Sequence, residues 1–113
     1  LMASIILGTL WAVWHFPFAR TEGIVLNSVP LVIFVLNLIA SAIIYTWIFI
    51  NTKGSLLPVL LFHAAGNTAS NLWPFLPPAA GNLNIYFSAF AVNWVIAFVL
   101  IYKRSELRQP HKV

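Results

Sequence analysis

The stretch Asn27-Ser-Val-Pro-Leu-Val-Ile-Phe-Val-Leu-Asn-Leu-Ile-Ala-Ser-Ala-Ile-Ile-Tyr-Thr-Trp-Ile-Phe-Ile50 carries no charged side chain. Its apolar residues are continuous and do not alternate, which excludes the strands of a membrane β-barrel. Coiled as an α-helix it is about 36 Å long at 1.5 Å per residue, longer than a hydrocarbon core of about 30 Å, so a tilted spanning helix is expected. Pro30 fits the first turn of such a helix, where a missing N–H is harmless.

Three more helical segments flank it. Segment A covers Leu1 to His15 and is expected to end at Phe16-Pro17, because the residue before a proline is pushed out of the α region. Asn51-Thr-Lys-Gly54 reads as a short turn. Segment C covers Ser55 to Leu72, with Ser55 as N-cap and Pro58 in the first turn. Trp73-Pro-Phe-Leu-Pro-Pro-Ala-Ala-Gly81 is a connection that its prolines keep from being helical, and segment D covers Asn84 to Tyr102. Segments C and D are each about 27 to 29 Å long, just enough to span. The expected fold is all-α, a polytopic transmembrane bundle of about four helices over residues 1–102, with a basic tail over 103–113.

Composition agrees. Of 113 residues 61% are hydrophobic and 7% charged, with a mean hydropathy of +0.91, whereas soluble domains carry about 25% charged residues. The charges are grouped: Arg20 and Glu22 in one connection, Lys53 in the turn, and Lys103, Arg104, Glu106, Arg108 and Lys112 in the tail. A net charge of +4 without an aromatic or glycine-rich signature does not indicate nucleic acid; the tail reads as a juxtamembrane stretch that touches anionic headgroups. Membrane lipids and a peptide or protein substrate are the expected partners. The absence of cysteine removes disulfides, a thiolate nucleophile and zinc–thiolate sites. The positive-inside rule places the tail and Lys53 in the cytoplasm, giving a multi-pass protein of the cell membrane. Trp73, Phe75 and Tyr86 then fall near the outer interface, and Trp47 and Tyr102 near the inner one. Leu1 stands inside an apolar run without a basic n-region or a cleavage site, so the run is not read as a signal peptide and a piece of a longer protein is expected.

Polar residues are the informative ones in lipid, because each must face protein or a wet cavity. Trp11 and His15 share a helix face in Trp11-Ala-Val-Trp14-His15-Phe16-Pro17; His15 is either an interfacial histidine at a helix end or a site residue. His63, Asn67 and Asn71 follow i, i+4, i+8 spacing on segment C and make one polar stripe. Ala64, Ala65 and Gly66 beside it admit a second backbone. That stripe is either an interhelical hydrogen-bonding seam or a functional site. Asn37, Ser41 and Tyr45 repeat the spacing on segment B and are read as a contact with neighbouring helices, and Asn93 as an interhelical hydrogen bond. Glu22 and Glu106 are the only carboxylates, both in charged connections, so no general base or hard-metal ligand lies at membrane depth.

The two histidine clusters resemble the CPBP family of intramembrane proteases, which includes CAAX prenyl protease 2 and bacterial Abi-type proteins. The stretch from Trp11 to Pro17 is similar to the family's second motif, an aromatic residue followed four positions on by histidine. His63-Ala-Ala-Gly-Asn67 is similar to its third, histidine followed four positions on by asparagine. Both occur in order, separated by a long hydrophobic segment and a short turn, and the resemblance covers most of the chain. The family's first motif, Glu-Glu-x-x-x-Arg, is not among these residues; it is expected about twenty residues before segment A.

The resemblance implies an intramembrane endopeptidase in which an upstream glutamate activates water for attack on a peptide bond, so that these residues alone are expected to be inactive. It assigns His15, His63 and Asn67 to the catalytic site. An imidazole N–H of His63 and an amide N–H of Asn67 are expected to meet the same oxyanion, and His15 to position the water or share its proton. No cofactor is expected. An older reading of such families makes His15 and His63 zinc ligands, although catalytic zinc normally takes three protein ligands. The alternative function is a non-catalytic membrane protein of the same fold, as in bacteriocin immunity or scaffolding. A transporter fragment fits less well, because no charge for a coupling ion lies within the membrane.

Overall fold

The computed structural model describes residues 1–20, 29–72 and 84–107. The connection from Trp73, Glu22 and the tail from Arg108 lie outside the described residues, as do the side chains of Ser70, Asn71 and Glu106. All regular structure among the described residues is helical: α1 (Met2–Ala19), α2 (Leu31–Asn51), α3 (Leu57–Leu72) and α4 (Asn84–Leu107).

Several boundaries differ from those expected. Helix α1 runs through Pro17 to Ala19, and Arg20 N–H still reaches the Phe16 carbonyl at 3.2 Å. Pro17 removes one N–H from the ladder, a loss that helices in an apolar medium tolerate when neighbouring groups satisfy the freed carbonyl. Pro30 sits just before α2 instead of inside its first turn. Helix α3 begins at Leu57, two residues beyond the expected N-cap Ser55, with Pro58 in its first turn as expected. Its 16 residues reach only about 24 Å, short of a full hydrocarbon core. Helix α4 instead extends through Lys103 and Arg104 to Leu107, so the first part of the basic tail is helical. By length and apolar composition, α2 and the Tyr86–Arg104 part of α4 are long enough to cross a membrane.

Helix α2 is the hub. It shares its widest interface with α1, a narrower one with α4 and the narrowest with α3. The α1–α2 contact is made by small residues: Ser4, Gly8 and Ala12, spaced i, i+4, i+8, are all buried. A Cβ placed on Gly8 would lie 2.6 Å from Ile39 Cα, so backbone touches backbone there. Small-residue stripes of this kind let apolar helices approach and gain dispersion contact where no hydrophobic effect drives them together. Ala40 and Ala97 play the same part between α2 and α4, beside Ile43, Trp94 and Ile101. At that interface Asn93 Nδ2 donates to Asn37 Oδ1 and to Ser41 Oγ, both at 3.0 Å.

Large apolar side chains point outward instead. Trp14 is 82% exposed, and Leu10, Val13, Leu57, Leu60, Leu61, Val92, Val95 and Phe98 are also exposed. In water each would forfeit about 25 cal/mol per Å² of apolar surface; against lipid tails the same surface costs nothing. Small inside and large outside is the pattern of a helical membrane bundle.

The turn after α2 closes in a Schellman arrangement. Gly54 N–H bonds the Phe49 carbonyl at 2.9 Å, and Thr52 N–H bonds that of Ile48 at 3.0 Å. Lys53 takes the left-handed position, φ 56°, which is usually glycine's.

Candidate functional site

The cluster is assembled around Trp11. Side chains on a helix lean toward that helix's N-terminus. Since α1 and α2 run antiparallel, Trp11 leans down α1 while Tyr45 leans up α2, and the rings meet at 5.6 Å between centroids. His63, on the seventh position of α3, brings its ring to 5.5 Å from Trp11 and 5.8 Å from Tyr45. His15 lies edge-on to Trp11 at 5.7 Å. One indole therefore contacts both histidines. Phe62 closes the outer side of Tyr45 at 5.8 Å.

The hydrogen bonds settle part of the proton placement. His15 Nδ1 lies 2.9 Å from the Trp11 carbonyl, which only accepts, so Nδ1 carries a proton and Nε2 of the neutral ring is an acceptor. His63 is held at both nitrogens: Nδ1 lies 3.2 Å from Tyr45 Oη, and Nε2 lies 3.2 Å from Asn67 Nδ2. With the amide in this orientation Asn67 donates, His63 Nε2 accepts, and Nδ1–H donates to Tyr45. With the amide turned over, Tyr45 O–H donates to Nδ1 and Nε2–H donates to Asn67 Oδ1. Both arrangements make Tyr45, His63 and Asn67 one chain of hydrogen bonds.

The structure thus places His63 and Asn67 in contact, one turn apart on α3, and joins His15 to them through Trp11. His15 and His63 are half-buried; Asn67 is exposed on the outer side of α3. Tyr45 is the residue that sequence reasoning missed. Its spacing groups it with Asn37 and Ser41, but each i+4 step rotates about 40° round the helix. Two steps carry the stripe from α4, which Asn37 and Ser41 meet, round to His63 of α3.

A zinc ion would need ligands beyond the described residues. Among the described residues no three histidines, cysteines or carboxylates come together. Three of the four imidazole nitrogens of His15 and His63 already hold hydrogen bonds within the cluster.

Fold and composition together define a helical membrane protein, with a histidine–asparagine cluster between α1, α2 and α3. Residues 1–69 match the family model described as type II CAAX prenyl endopeptidase Rce1-like, and the chain belongs to that family of membrane proteases. The matched span takes in Trp11, His15, Tyr45, His63 and Asn67. No curated protein and no solved structure matches the chain.

Proposed function

We propose that the full-length protein is an intramembrane endopeptidase in which a glutamate outside these 113 residues activates water and His15, His63 and Asn67 serve the reaction. The observation that carries this reading is that the family match spans both histidine motifs and the fold gathers them around one indole. His15, with its proton held on Nδ1 by a carbonyl, presents Nε2 as an acceptor that orients the attacking water. An oxyanion favours the turned-over amide: Tyr45 O–H to His63, His63 Nε2–H to Asn67 Oδ1, and the amide N–H groups toward the developing charge. A hydrogen-bond chain in a low dielectric polarises in the direction of that charge.

In this reading the protein is multi-pass, with Lys53, Lys103 and Arg104 on the cytoplasmic side, since the turn after α2 and the end of α4 lie at the same end of the bundle. The peptide or protein substrate enters from the membrane.

The test is cleavage of fluorogenic peptides by the full-length protein in proteoliposomes. His63→Ala is expected to abolish cleavage with insertion intact, and Asn67→Ala to lower kcat by about 10²- to 10³-fold, the scale of losing an oxyanion donor. Undiminished cleavage by both variants would sink the assignment.

A further inference from the structure

The two histidine motifs lie on α1 and α3, and a polar side chain that belongs to neither stands between them on α2. Tyr45 Oη lies 3.2 Å from His63 Nδ1. The Tyr45 ring packs against Trp11 and Phe62, with centroids at 5.6 and 5.8 Å. Its hydroxyl has no other hydrogen-bond partner among the described residues. A hydroxyl carries one proton, and in this half-buried aromatic setting that proton needs an acceptor, because a donor left unmet away from water is costly.

That requirement chooses between the two hydrogen-bond arrangements of the cluster. If the Asn67 amide donates to His63 Nε2, the imidazole proton sits on Nδ1 and points at Tyr45 Oη, which must then accept. The phenol proton is left with nothing to meet. A phenol is in any case a poor acceptor, because its oxygen lone pair is drawn into the ring, whereas an unprotonated imidazole nitrogen is a strong one. In the other arrangement every group is used: Tyr45 O–H donates to Nδ1, Nε2–H donates to Asn67 Oδ1, and the amide N–H groups turn away from His63. The two amide orientations differ by a half-turn about a soft terminal torsion.

We propose that Tyr45 is a positioning residue of the reaction. By donating to Nδ1 it fixes the Nε2–H tautomer of His63, and through it turns the Asn67 amide so that its N–H groups face the oxyanion position before a substrate arrives. Donors aimed in advance leave no reorganisation to the reaction step. Tyr45 touches no reacting atom in this role and acts only through His63. The kinetic consequence rests on the peptidase reading above; the tautomer does not, since residues of this chain alone set it.

The test compares the full-length protein with its Tyr45→Phe variant, which keeps the ring packing, by two readouts. The first is the ring-nitrogen NMR spectrum of neutral His63 in nanodiscs. The wild type is expected to carry its proton on Nε2, and Tyr45→Phe to become a mixture of both tautomers. A proton on Nδ1 in the wild type, or the same tautomer in both proteins, would overturn the proposal whether or not peptides are cleaved. The second is a double-mutant cycle in the cleavage of fluorogenic peptides. Tyr45→Phe alone is expected to lower kcat about 10- to 100-fold with KM within about twofold. In the Asn67→Ala background the same change should lower kcat by less than about threefold. A bond that only docks α3 would cost the same factor in both backgrounds, and losses that multiply in this way would overturn the proposal. A wild type that cleaves nothing would sink the peptidase reading, and the tautomer would then decide the role of Tyr45.

Discussion

Tyr45 gives up its hydroxyl to one purpose: its Oη meets His63 Nδ1 at 3.2 Å, and the ring packs between Trp11 and Phe62. Removing only the oxygen, as in Tyr45→Phe, leaves that packing and frees His63 Nδ1. Where a peptidase assay is in hand, kcat is expected to fall about 10- to 100-fold, the usual cost of losing a partner that orients a site residue, while KM stays within about twofold. The measurement that separates orientation from packing is the ring nitrogen spectrum of His63, which should change its tautomer balance in Tyr45→Phe. An unchanged spectrum would mean the hydroxyl does not govern the imidazole. Lys53 offers a second test at this scale. Its φ of 56° is strained for a residue with a Cβ, so Lys53→Gly is expected to be neutral to stabilising by up to about 1 kcal/mol, with strain relief offset by the greater freedom of glycine in the unfolded chain. The i, i+4 pair His63 and Asn67 was legible in the sequence because both lie on one helix. Tyr45 as their partner was not, because the slow rotation of an i+4 stripe is invisible until the neighbouring helices have positions.

Between elements, the decisive residue is Gly8. Its hydrogen faces Ile39 Cα where a methyl would sit at 2.6 Å, and the obstacle is backbone, not the mobile end of a side chain. Gly8→Ala is expected to cost about 1–3 kcal/mol by overpacking, and Gly8→Leu to separate α1 from α2 altogether. Unfolding by sodium dodecyl sulfate in mixed micelles would measure the first. The second should abolish the Trp11–Tyr45 contact and with it the alignment of both histidines. Asn93→Ala tests the other interface; losing its bonds to Asn37 and Ser41 should cost about 1 kcal/mol, since interhelical hydrogen bonds in membranes average about 0.6 kcal/mol each. The spacing of Ser4, Gly8 and Ala12 is in the sequence, but small residues become a seam only where a second helix lies against them, as Ile39 of α2 does at Gly8. Pro17 misled for a physical reason: the rule that ends helices before proline is weakest where surrounding helices hold the backbone in place.

Taken whole, the described residues put Ser4, Gly8, Ala12, Ala40, Ala42 and Ala97 inside, with Val29, Phe34, Ile43 and Ile44 the larger buried side chains, and leave most of the leucines and many other large apolar side chains exposed. At Leu10, 62% exposed, truncation to alanine is expected to change stability in a bilayer by less than about 0.5 kcal/mol, as for a surface site. Replacement by lysine should instead cost about 2.5–3.5 kcal/mol if the position lies at the membrane centre. The helical class and the four helices of the described residues were legible because apolar runs between charged connections favour spanning helices. Which helices span was not, since the ends of α3 and α4 depend on capping and on how far Lys103 and Arg104 continue the coil. The unequal interfaces of α2 have a final consequence, for the order in which the bundle comes apart. Helix α3 rests on the narrowest of the three, so the least work separates it, and its amides should exchange with deuterium before those of α1 or α2. The first opening of this protein would therefore draw His63 and Asn67 away from Trp11 and Tyr45 while His15 stays behind on α1.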